Sequence, residues 1–140
     1  MTRILLAAPM LLVLFVAHAE QFKRFGDYRV HYMAFNASVL SAEIAERYEI
    51  VRGSDKGLVN ITAIGPSGRG EKVTVKGDFR NLLDQTTKLD FREIDDRGTV
   101  YYLAAFDFEN AENLRFEVTV ELPKHGSETF RFQHALYREE

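Results

Sequence analysis

The sequence predicts an all-β fold: an immunoglobulin-like antiparallel β-sandwich of about seven strands, with one short helix in a crossover. Three observations lead there. Apolar and polar residues alternate with a period of two along most of the chain. The alternating runs are separated by breaks rich in Gly, Pro, Asp and Ser, the residues of tight turns. One segment, residues 41–48, is spaced for a helix instead.

The strands follow in order. Residues 27–37 set Tyr28, Val30, Tyr32 and Ala34 against Arg29, His31, Met33 and Phe35. In 41–48, Ser41 is suited to cap the helix, Glu43 to the positive helix start, and Ile44 and Tyr48 share a face. Residues 58–64 oppose Leu58, Asn60, Thr62 and Ile64 to Val59, Ile61 and Ala63. Residues 71–79 put Val73, Val75, Gly77 and Phe79 on one side of the pleat. Residues 88–94 alternate Leu89 and Phe91 with Lys88, Asp90 and Arg92. Residues 99–108 alternate Val100, Tyr102, Ala104, Phe106 and Phe108 with Tyr101, Leu103 and Ala105. Residues 114–122 are the clearest run, with Leu114, Phe116, Val118, Val120 and Leu122 inward and Arg115, Glu117, Thr119 and Glu121 outward. Residues 128–137 close the series with Phe130, Phe132, His134 and Leu136 on one side. Hairpins are expected at 65–70, 95–98, 109–113 and 123–126.

The N-terminus has the layout of a secretory signal peptide. Arg3 precedes an uncharged run from Ile4 to Ala17, and Ala17-His18-Ala19 forms an A-x-A exit. Cleavage is expected after Ala19, leaving a single sandwich domain over residues 20–140, a periplasmic location and no membrane span. The apolar run is shorter than the roughly 20 residues that a bilayer requires. Charged strand faces argue against an outer-membrane barrel, whose outward side chains must suit lipid.

Composition narrows the chemistry. The 140 residues are 46% hydrophobic and 28% charged, with net charge −3 and no cysteine. Disulfides, a thiol nucleophile, cysteine-ligated metals and a lipoprotein anchor are thereby excluded. The acidic balance and the lack of a long basic cluster argue against nucleic acid. Gly65-Pro66-Ser67-Gly68 departs from a nucleophile elbow at Arg69. Residues 65–72 depart from a phosphate loop at Glu71, and 95–98 lack the alternating oxygens of a calcium loop.

Of the histidines beyond the signal, His125 belongs to a turn and His134 to the rim of an apolar face. His31 and Met33 leave one strand face roughly 6–7 Å apart, an imidazole and a thioether with soft-metal character. They are the weak metal candidates; no cofactor is expected. A stronger signal is that two strands are apolar on both sides. Met33, Phe35, Tyr101 and Leu103 form the candidate aromatic surface. It is either covered by the Ile44/Tyr48 helix face and the Leu82-Leu83 segment, or left open to a partner.

The stretch from Glu20-Gln21-Phe22-Lys23-Arg24-Phe25-Gly26-Asp27-Tyr28-Arg29-Val30-His31-Tyr32 through Ala34-Phe35-Asn36-Ala37-Ser38 resembles the opening of a family of small exported proteins of Gram-negative bacteria, domain of unknown function 4426. Gly57-Leu58-Val59-Asn60-Ile61, Asn81-Leu82-Leu83, Phe91-Arg92-Glu93-Ile94, Tyr101-Tyr102-Leu103-Ala104, Leu114-Arg115-Phe116 and Phe130-Arg131-Phe132-Gln133 agree with it. Ala42 departs from the family's usual proline. The resemblance implies a periplasmic, compact β protein and transfers no activity, cofactor or site. The expected function is a non-enzymatic module binding an envelope protein or peptide, by an edge strand or by the aromatic surface; the sequence implies no oligomeric state. The alternatives are an apolar-ligand carrier with a Phe/Tyr-lined cavity, and an enzyme pairing His134 or His31 with Asp27 or Glu93.

Overall fold

The computed structural model describes residues 21–138, and the expected signal peptide and its cleavage point lie outside them. Among the described residues, nine strands form two antiparallel sheets. The first sheet has the order β1 (Phe22–Phe25), β2 (Tyr28–Asn36), β3 (Lys56–Ile64), β7 (Thr99–Asp107), β6 (Arg92–Asp96). The second has the order β5 (Thr86–Leu89), β4 (Thr74–Arg80), β8 (Glu112–Leu122), β9 (Gly126–Leu136). The all-β sandwich is thus the observed fold.

The inward side chains are the apolar sets read from the alternation. Val30, Val59, Ile61, Ala104, Leu114, Phe116, Val118 and Val120 are all buried in one core. Aromatic rings bridge the sheets. Tyr32 of β2 lies 4.6 Å from Phe132 of β9, and Phe79 of β4 lies 5.0 Å from Phe106 of β7. Phe116 and Phe132 stack on neighbouring strands at 4.8 Å with planes 13° apart. Gly57 is required where it stands, because a Cβ there would enter the Phe106 ring.

Two strands exceed the seven expected. β1 is short, with a Phe at each end, and joined to β2 across Gly26-Asp27, with Gly26 at φ 57°. The run at 88–94 is two strands rather than one. β5 ends at Leu89 on β4, and β6 begins at Arg92 on β7. Leu89 and Phe91 both reach the core, so the alternation survives while the hydrogen-bonding partner changes. The 109–113 segment is likewise not a hairpin. It carries the chain from β7 to β8, which lie in different sheets.

The other turns behave as their residues dictate. Arg97 and Gly98 both have positive φ in the two-residue β6–β7 turn, and Asp95 accepts from the Gly98 N–H at 3.0 Å. The β8–β9 turn includes Lys124 at φ 62°. Residues 64–70 close a tight loop with an Ile64–Gly70 bridge before the chain enters the second sheet.

The helix α1 (Ala42–Arg47) follows a single 3₁₀ turn (Ala37–Val39) in the connection from β2 to β3, which are hydrogen-bonded neighbours. Ser41 caps α1, accepting from the Ile44 N–H at 3.2 Å. The helix is too short to hold itself together in water, so packing must hold it. Of α1, Ala45 is buried while Ile44 is 41% exposed, and it is the neighbouring 3₁₀ turn that lies against β3.

Candidate functional site

The outer face of the first sheet is built by strand register. Met33 pairs with Asn60, Asn60 with Leu103, and Leu103 with Arg92, making one row across four strands. Phe35, Leu58 and Ala105 make the row on one side; Tyr101 and Ile94 belong to the row on the other. All four residues of the candidate aromatic surface therefore lie on one face. Phe22 and His31 extend it toward β1, their rings 5.4 Å apart.

The connection between β2 and β3 covers part of this face. Leu58 and Ile94 point outward yet are buried, as are Ala37 and Ala45 of the connection. The Arg92 guanidinium donates to the Tyr48 carbonyl, tying the segment after α1 to β6. Ile50 and Val51 line a groove of about 490 Å³ with Leu58, Leu103, Lys56 and Arg92. The cover stops short of Met33, which is 56% exposed, while Phe35, Tyr101 and Leu103 are half-buried. Leu82 and Leu83 provide no cover. They sit between β4 and β5 of the other sheet and are 71% and 80% exposed.

Beside Met33, the side-chain carbonyl oxygen of Asn60 is shielded from solvent and accepts no hydrogen bond among the described residues. An amide oxygen in that condition costs on the order of 1–3 kcal/mol unless something donates to it. The polar position within 58–64 was legible; its lack of a donor was not, because that depends on neighbours from two other strands.

The histidines do not form a catalytic pair with the carboxylates proposed for them. His31 lies against Phe22. His134 is half-buried on the inner side of β9, where burial pushes its pKa below the usual histidine value. The His–carboxylate contact among the described residues is His125 Nε2 to Glu128 Oε1 at 3.0 Å, on the exposed β8–β9 turn. The carrier reading asks for an aromatic-lined cavity; the Phe and Tyr rings between the sheets instead lie against one another. No three His, Cys, Asp or Glu side chains among the described residues converge on a metal position.

Two tyrosines do unforeseen work at the rim of the sandwich. The Tyr102 hydroxyl donates to Glu93 at 2.9 Å and accepts from the Val73 N–H at 2.8 Å. Burial, with the Glu93 carboxylate adding to it, pushes its pKa up to about 12. Tyr28 reaches Glu71 at 3.1 Å and the Pro123 carbonyl at 2.6 Å. Both hydroxyls anchor the segment between β3 and β4, and neither faces the candidate surface.

Fold and surface define a two-sheet, all-β sandwich whose most unusual feature is an apolar outer face. The match to known proteins is specific. Residues 22–139 fit the profile of the DUF4426 family, described as a domain of unknown function, and the chain belongs to that family. A crystal structure of a DUF4426 family protein (PA0388) from Pseudomonas aeruginosa PAO1 is similar at 32% identity and TM-score 0.78, over 86% of this chain and 97% of that one. FetP of uropathogenic Escherichia coli strain F11, recombinantly expressed in the periplasm of E. coli BL21(DE3), is 8% identical at TM-score 0.57, over 86% and 95%. A copper-bound variant of FetP gives 8% and 0.55, over 86% and 97%. These last two share the fold alone. No curated protein matches the chain.

Proposed function

We propose that the protein is a non-enzymatic periplasmic module that binds an envelope protein or peptide through the outer face of its first sheet. The observation that carries this reading is the Met33–Asn60–Leu103 row, flanked by Phe35 and Tyr101 and only partly roofed by the β2–β3 connection. An apolar strand face costs free energy in water unless a partner removes it from solvent. The periplasm is supported by the signal-like N-terminus. The periplasmic expression of FetP is in keeping with it, and no helix among the described residues is long and apolar enough to cross a membrane.

The test compares Met33→Glu with Thr119→Glu, the latter on the outer face of the second sheet. One envelope protein retained at fixed stoichiometry by the wild type and by Thr119→Glu, and lost from Met33→Glu, supports the reading. Equal retention by both variants, or no retained protein, overturns it.

A further inference from the structure

His31 and Met33 are i and i+2 on β2, so both side chains leave the outer face of the first sheet, roughly 6–7 Å apart at their origins. Asn60 stands directly across from Met33 and diagonally from His31. In an antiparallel pair these neighbours lie roughly 5 Å and 7–8 Å away, within reach of long side chains. Three donors of different kinds thus share one patch: an imidazole nitrogen, a thioether sulfur and a carboxamide oxygen.

Two features of the patch are unexplained by packing. Met33 is the only methionine after Met10, and it is 56% exposed where a fold normally buries such a side chain. The Asn60 oxygen beside it is shielded and has no donor among the described residues. A cation at this position would answer both. Thioether and imidazole together favour a soft monovalent ion of the cuprous class, and an amide oxygen can add a weak, long contact beside such ligands. We propose that His31, Met33 and Asn60 form a soft-metal site, with His31 and Met33 as the principal ligands and the Asn60 oxygen as the weak one. The Phe22 ring against His31 limits the directions the imidazole can take. Binding is then one ion per chain.

The test is a titration of the exported protein with Cu(I) alone, without oxygen and against a chromogenic cuprous chelator. The wild type should bind one ion, and the Met33 methyl resonance should shift in step. His31→Ala and Met33→Leu should each weaken binding about tenfold or more, and His125→Ala should leave it unchanged. A smaller loss is expected of Asn60→Ala, in keeping with a weak ligand. Folding of each variant is checked by the near-ultraviolet signal of the tyrosines. Absence of binding in the folded wild type overturns the site. So does undiminished binding by folded His31→Ala or Met33→Leu.

Discussion

The outward side of β8 carries Arg115, Glu117, Thr119 and Glu121, whereas the outward side of β2 carries Arg29 followed by His31, Met33 and Phe35. On the second sheet the outward residues satisfy one another. Arg131 meets Glu117 at 2.9 Å, Arg115 meets Asp84 at 3.1 Å, and the Thr119 and Thr129 hydroxyls lie 2.8 Å apart. On the first sheet Lys56 meets Asp107 at 2.6 Å, but the Met33 row holds an exposed thioether and a shielded amide oxygen with no donor among the described residues. Both sheets use the same alternation to fill a shared core. The contrast shows that the core makes no demand on the outer face of β2, β3 and β7, so the apolar side chains that the β2–β3 connection leaves uncovered need another explanation.

The largest expected effect lies in the core common to both sheets. Phe116→Ala removes a ring buried against Phe79, Phe106 and Phe132. It should cost about 3–5 kcal/mol, read from urea denaturation. A loss near that of a surface substitution would show that the stacked aromatics do not hold the sheets together.

A smaller effect is expected from Tyr102→Phe, about 1–2 kcal/mol, because the Val73 N–H and Glu93 lose their partner. The pH dependence has a definite sign. The folded pKa of about 12 exceeds the ordinary 10.0, so the stabilisation is complete below pH 10 and is lost as pH rises toward 12. Tyr102→Phe should therefore lose less stability than the wild type across that window. An identical alkaline decline in both proteins would mean that the hydroxyl does not tie β6 and β7 to the β3–β4 segment.

At the acid end the effect is smaller still. Burial lowers the His134 pKa below its ordinary 6.5, so an unfolded chain takes up the proton first and stability falls as pH drops through that region. His134→Gln should flatten this part of the stability curve, measured by denaturation at pH 7 and pH 5. A curve parallel to the wild type would place His134 in solvent rather than at the rim.

The sequence was most informative about faces. Nearly every inward residue of β2, β3, β7, β8 and β9 follows from the period of two, since a one-residue slip would turn each set to water. It was less informative about partners. Leu89 and Phe91 face the core as their spacing demands, but nothing local says that the chain changes sheets between them. The four-residue strand β1 has its two phenylalanines three apart rather than alternating, and is held by pairing with β2 and by Phe25 against the core. Met33, Phe35, Tyr101 and Leu103 were legible as a surplus of apolar side chains. Whether each was covered depended on where a helix of six residues docks, and that is settled by tertiary contacts.

The central claim is that the first sheet, and not the second, presents the working surface. It is tested most directly by placing a photo-crosslinking side chain at Met33 or at Thr119 in the exported protein and irradiating intact cells. A discrete adduct from position 33 and none from position 119 is the predicted result. Adducts from position 119 alone, or the same adducts from both positions, would contradict it.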